Sequence, residues 1–427
     1  SLAPFTEYPW LWSIHTWSGS AEWQMVLLAV HLIAAVCLVA GYRTQVSVFI
    51  CWVLLSSLQV RNPLVLHSGD VVVRLLCFWS VFLPLGACWS VDAHRRSISV
   101  FRADGRVATG ASLGILVQTC LIYWMGCVLK NGDEWLKEGT AVYYALSLDQ
   151  FVTATGKLLL PFPGLCKGLT FATWWLELLG PIAAFFPWWK GRVKTMVVAA
   201  FWLLHIAFAL CLRVGPFAPT MMSAWLLFLP TSFWDALKPS AGGHSPFSPT
   251  PGQLANRHRW MSRPLARGFA MFCLVYVILW NLRGARIGGS ARWLPQWSRP
   301  FGYVLNLRQY WTMFAPRPVL DDGWLVMEAV LADGSHVDLL RGGRLVAFEK
   351  PALISAEFRD SKWQKAILNL WPEQYSPLRP VFGNYMAFQW NGCHSPAQQI
   401  RGWTLWFMRE DTPPRGHLAK IVKVELL

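Results

Sequence analysis

The chain has 427 residues, 54% of them hydrophobic, with a mean hydropathy of +0.35 and 14% charged side chains. Soluble domains carry roughly 25% charged residues, so this composition excludes a single water-soluble globule, and a disordered or collagenous chain with it. Aromatic residues reach 15%, including 27 Trp, the residue that favours membrane–water interfaces. The expectation is an all-α polytopic membrane bundle.

Residues 1–20 lack the charged and apolar regions of a signal peptide and, with Trp10, Trp12 and Trp17, read as an interfacial segment. A chain that opens in this way on Ser is expected to have lost an upstream part. Apolar runs predict about eight spans: Ala21–Ala40, Thr44–Leu58, Val71–Trp89, Ala111–Leu129, Leu165–Trp189, Val193–Leu212, Pro216–Trp234 and Leu265–Leu282. Residues 21–236 then form the main transmembrane bundle. Residues 237–264, rich in Pro, Ser and Gly, are a cytoplasmic linker, and residues 265–284 are the last span. Residues 285–427 turn polar and are expected to form a small extracytoplasmic α+β domain. Within it, Gly323–Leu340 alternates around Asp333-Gly334, a hairpin signal, and Ser361–Trp371 reads as an amphipathic helix. Thr404–Met408 and Ile421–Leu426 read as strands.

Of the net charge of +15, residues 1–284 carry +10 and the tail +5. The basic residues of the first part lie mainly in short loops between apolar runs, which points to membrane topology and lipid headgroups and away from nucleic acid. Loops after odd-numbered spans hold Arg43, Arg95, Arg96, Arg102, Arg106, Lys190, Arg192, Lys238, Arg257, Arg259 and Arg263. Those after even-numbered spans hold fewer: Arg61, Lys130, Lys137, Lys157 and Arg213. The positive-inside rule makes the first set cytoplasmic and places the tail outside, on the periplasmic face of a bacterial inner membrane. Nine of the ten Cys lie in or beside apolar runs and only Cys393 lies in the tail, with no CxxC pair. No disulfide framework or metal site is expected. Asp321, Asp322 and Asp333 fit no EF-hand spacing and read as a solvated turn.

Ionisable groups inside spans are functional candidates by default. Here they are His31, Arg74, Glu177 and His205. The plain alternative for each is a structural hydrogen bond or a helix–helix pair, and for Arg74 an ion pair with Asp70 four residues earlier. The polar segment Arg61–Asp70 gathers Arg61, Asn62, His67 and Asp70 between two spans, and reads equally as a site or as a capped turn. Lys130 ends a span and is followed by Asp133, Glu134, Trp135 and Glu138. An ammonium at a water-poor boundary is costly, so such a lysine can serve as a base. A snorkelling lysine, or one paired with Glu134, is the plain reading.

Six segments carry a resemblance to a known family: GYRT at Gly41–Thr44, SLQVRNPLVLHSGD at Ser57–Asp70 and FWSVFLPLGACWSVDA at Phe78–Ala93. The others are LKNGDEWLKEGTAVYYALSLDQF at Leu129–Phe151, LTFATWWLELLGP at Leu169–Pro181 and YWTMFAPRPVLDDGW at Tyr310–Trp324. They resemble the horizontally transferred transmembrane (HTTM) family, which includes the membrane part of vitamin K-dependent gamma-carboxylases. The resemblance implies a membrane-embedded enzyme that modifies a peptide or lipid with a reduced, vitamin K hydroquinone-like quinone. Lys130 matches the lysine that deprotonates the quinol. Trp135 and Gly139 follow it, with the Trp–Gly spacing one residue longer than in the family. His67 is the counterpart of a helper histidine. Arg61, Asn62, Asp70, Trp135, Glu177 and His205 are candidates for holding the cofactor. The rival expectation is a non-catalytic structural or assembly subunit that contacts lipid and other subunits of a membrane complex.

Overall fold

Backbone chemistry at the ends of the apolar runs sets where the helices start and stop. The computed structural model describes residues 9–87, 89–96, 109–186, 188–236, 264–287, 292–412 and 419–427. The expected linker at 237–264 lies, apart from Pro264, outside the described residues, as do residues 1–8 of the expected interfacial segment. Helix α1 (Ala21–Ala40) starts where Ser20 Oγ accepts the Trp23 amide, and ends at Gly41, whose φ of 70° suits glycine. A Cβ at Gly41 would also stand 2.3 Å from Ser90 Cβ. Beyond it lie α2 (Thr44–Arg61), α3 (Ser68–Ser80), α4 (Gly110–Leu129), α5 (Pro163–Ala183), α6 (Arg192–Cys211), α7 (Phe217–Trp225) and α8 (Pro264–Gly284).

Among the described residues, five helices are long and apolar enough to cross a membrane: α1, α2, α4, α6 and α8. The other three predicted spans take different forms. The run Val71–Trp89 contains Pro84 and Gly86, and its helix α3 stops at Ser80 after 13 residues. At 1.5 Å per residue that is about 20 Å, short of a hydrocarbon core of about 30 Å. The 21-residue α5 carries Lys167 and Glu177, which make it less apolar than the five. The run Pro216–Trp234 divides into α7, nine residues long, and a 3₁₀ turn at Leu226–Phe228 before Pro230.

The chain divides into two compact units. The first comprises residues 1–129, 175–203 and 219–312, and the second residues 130–174, 204–218 and 313–427. The stretch 285–312, expected with the tail, thus belongs with the bundle. In the first unit α1 packs on α2, α2 on α3, α3 on α4 and α4 on α8. Gly114 lets α4 approach α3 closely, since a Cβ there would lie 2.4 Å from the Trp79 ring. Only Leu27 and Ala34 of α1 are buried; Leu32, Ile33 and Val39 face outward.

The second unit is built on a five-stranded antiparallel sheet of order β3-β2-β1-β4-β5. Its strands are β1 (Asp321–Leu331), β2 (His336–Asp338), β3 (Arg344–Leu345), β4 (Ile400–Asp411) and β5 (Lys420–Glu425). The expected hairpin is present: Glu328 pairs with Asp338 across a turn in which Asp333 Oδ1 accepts the Ser335 amide. Helices α9 (Ile354–Glu357), α10 (Ser361–Leu368) and α11 (Arg379–Asn391) accompany the sheet. Of these, α10 realises the expected amphipathic helix, with Asp360 capping its start. The core gathers Val326, Met327, Leu405, Ile354 and Ile367, all buried. Loop 148–157 joins this unit through backbone groups. Ser355 N donates to the Asp149 carbonyl at 3.0 Å and Gln364 Nε2 to the Gln150 carbonyl at 2.6 Å.

Candidate functional site

Lys130 follows the last residue of α4 and is 6% exposed. Its Nζ lies 4.5 Å from the centre of the Trp135 ring, a cation–π contact. The indole is itself fixed, because Trp135 Nε1 donates to the Phe314 carbonyl at 2.8 Å and Gly132 N to the Pro316 carbonyl at 3.0 Å. Glu134, four residues after Lys130, faces Arg317 at 3.7 Å. Gly139 takes φ of 72°, and a Cβ there would press on Lys167 and Phe171 at 2.7 and 2.8 Å. The YWTMFAPRP and LKNGDEW segments therefore meet at Lys130, with Trp135 as the shared surface.

In the first unit, the segment Arg61–Asp70 folds as a capped turn. Asp70 Oδ2 accepts the His67 amide at 2.8 Å at the start of α3, and Gln59 Nε2 donates to the Asp70 carbonyl at 2.8 Å. Arg74, buried, donates from Nη1 to Gln59 Oε1 at 2.6 Å and from Nη2 to the Arg308 carbonyl at 2.7 Å. Arg61 and Asn62 are exposed; Arg61 Nη1 donates to Gln24 Oε1 at 2.8 Å, and Asn62 caps the end of α2. Glu177 is buried in α5, and in the same unit the Tyr123 hydroxyl accepts Trp225 Nε1 at 2.8 Å. In the second unit, His205 is fully buried, edge-on to Phe208 and Phe217.

Of the expected site residues, Lys130 thus stands with Trp135, and His67 with Asp70. Arg61, Asn62, His67, Asp70 and Glu177 belong to the first unit, and Lys130, Trp135 and His205 to the second.

No family model, curated protein or solved structure matches the chain. What the arrangement can do is therefore argued from its own groups.

Two carboxylate centres went unread in the sequence. Asp92 accepts Arg43 N (3.0 Å), Thr44 N (2.9 Å) and Thr44 Oγ1 (2.6 Å), joining the GYRT and SVDA segments. The other centre, in the second unit, corrects the reading of Asp322 as part of a solvated turn: Asp322 lies in β1 and is 3% exposed. Its Oδ1 accepts Gly323 N at 2.7 Å and its Oδ2 accepts Gln150 N at 3.3 Å. Burial, aided by the nearby Asp149 charge and opposed by these amides, raises its pKa to about 7. Asp149 pairs with Lys157 at 2.7 Å and Lys350 at 2.6 Å, and Lys350 also pairs with Glu410 at 2.5 Å. The only hint in sequence was two acidic pairs, Asp321-Asp322 and Glu410-Asp411, at the ends of apolar strands.

Proposed function

We propose that the chain is a membrane-embedded enzyme of HTTM type, with Lys130 as the base that takes the hydroxyl proton of a reduced quinone. The observation that carries this reading is the burial of Lys130 against Trp135, held by the carbonyls of Phe314 and Pro316. A buried amine beside an aromatic surface suits a planar, weakly acidic quinol. Bound there and activated by oxygen, the quinol would supply a base strong enough to take a carbon-bound proton from a peptide or lipid substrate. Lys130 would take the quinol proton as a neutral amine and pass it on to water once the anion has been consumed, while the Trp135 ring face holds the ammonium formed in between. With all eight predicted runs counted as crossings, the Lys and Arg asymmetry of the loops favours Lys130 and the tail on the periplasmic side of a bacterial inner membrane.

Native mass spectrometry with lipid extraction tests this on the gently purified chain. A bound quinone in the wild type, lost in Lys130→Ala, is the expected result; a quinone retained by Lys130→Ala overturns the assignment. The outward apolar surface of α1 favours a second reading, a non-catalytic subunit of a membrane complex. Stoichiometric partner chains with no quinone would establish that reading.

A further inference from the structure

The second unit contains a cleft of about 60 Å³ between the sheet and the helices α9 and α10. Its walls include Trp324, Phe358, Trp371 and Phe407, the last two stacked with ring centres 4.0 Å apart. Asp321, Asp322, Arg341 and Glu357 supply the polar lining. At about 10–15 Å³ per water-sized group, the space holds roughly four to six non-hydrogen atoms.

The charges around the cleft do not cancel. Arg341 is engaged by Asp338 at 3.7 Å and Glu357 at 3.5 Å, and donates to the Ala347 carbonyl at 3.2 Å. Lys350 is shared by Asp149 and Glu410, and Lys157 is taken by Asp149. Asp321 is exposed at the rim. Asp322 is buried, and no basic side chain pairs with it among the described residues; backbone amides alone meet its oxygens. A buried carboxylate without a counter-charge is costly, so it keeps a proton or takes a cation from outside. A metal ion is a poor fit, because the described residues hold no group of three or more His, Cys, Asp or Glu suited to one, and hard cations need several oxygens. Aromatic walls around one carboxylate are instead the setting in which organic ammonium groups bind.

We propose that this cleft binds a small organic cation, an ammonium group of ethanolamine or tetramethylammonium size, whose charge pairs with Asp322 and whose alkyl groups contact the aromatic walls. The group can come from a free amine or from a lipid headgroup. Since Asp322 titrates at about 7, a proton competes with the cation. Affinity therefore falls about tenfold per pH unit as pH drops below 7, and levels off above it.

The test titrates the full chain in detergent with tetramethylammonium chloride, against sodium chloride at equal ionic strength, following ligand saturation-transfer NMR and the unfolding midpoint. A saturable response is expected, weakened at least about tenfold in Asp322→Asn, which removes the charge and keeps one oxygen acceptor, enough for the Gly323 amide. Should that variant fail to fold, the pH profile of the wild type and a weakened response in Phe358→Leu carry the test. Nanodiscs separate the two sources. Enrichment of ethanolamine or choline lipids by the wild type over Asp322→Asn supports the site and identifies a headgroup; equal lipid content with retained tetramethylammonium binding supports it and identifies a free amine. No saturable response, equal binding by Asp322→Asn, or affinity that rises as pH falls would overturn the proposal.

Discussion

Asp92 ties two distant stretches of chain with one side chain. Arg43 and Thr44 open α2, where backbone amides have no partner within the helix, and the Asp92 carboxylate receives both amides and the Thr44 hydroxyl. Its own amide returns a bond to the Gly41 carbonyl at 2.9 Å. Removing it strands these donors, and hydrogen bonds to a charged group are worth about 1.5–3 kcal/mol each. Asp92→Ala is therefore expected to lower the unfolding midpoint in detergent markedly, and Asp92→Asn to lower it less; an unchanged midpoint in Asp92→Ala would refute this account. Asp322 acts in the opposite sense. Its pKa is about 7 when folded against an ordinary 3.8 for an aspartate in the unfolded chain, so between these limits the folded state binds more protons. Its contribution then falls as pH rises from about 4 to 7, by up to about 4 kcal/mol, and is flat above 7. Subtracting the Asp322→Asn stability profile from that of the wild type isolates this slope, and a difference that rises with pH would contradict the assignment.

At the scale of the element, α11 lies on the sheet where Gly383 faces Trp403, with a built Cβ only 2.1 Å from the ring. Phe382, Met386 and Trp390 pack around it against the core. Gly383→Ala must push helix and sheet apart, at a cost of about 1–3 kcal/mol. It is expected to loosen the domain, read as faster proteolysis between α10 and β4 and a weaker near-ultraviolet dichroism signal. The sequence did not reveal this helix. Its Val381, Tyr385 and Phe388 are exposed while Phe382 and Met386 face the core, so apolar residues line both sides and blur the period. The hairpin at Asp333-Gly334, α10 and the two late strands were readable because turn chemistry and alternation are local. The end of α3 was misread because apolar residues continue past Ser80 while Pro84 and Gly86 interrupt the backbone. Of the candidate site, Lys130 stood out as an ionisable group at the end of an apolar run, and Trp135 was joined to it only by the resemblance to the HTTM segments. Their support from Phe314 and Pro316, like the pairing of Asp149 with Lys350, was not, since nothing local marks partners so far along the chain.

For the whole molecule, the composition requires a bilayer, and the five long apolar helices supply the means to cross one. Which side each unit faces is the property on which the enzymatic proposal depends. Lys130 and the tail belong to the same compact unit, so a label on the tail also reports the side on which Lys130 opens. Cys393 is suited to carry it: among the described residues it is the one exposed free cysteine, while the others are buried or half-buried, most of them in apolar helices. A membrane-impermeant maleimide applied to intact bacterial spheroplasts expressing the chain is expected to modify Cys393 without permeabilisation. Replacing Cys393 with Ser should abolish the signal. Modification only after the membrane is opened would put the tail, and Lys130 with it, on the cytoplasmic face. That would reverse the loop-charge argument and remove the extracytoplasmic substrate from the proposal, while leaving the ammonium cleft, which lies within the same unit, to be tested from the other side.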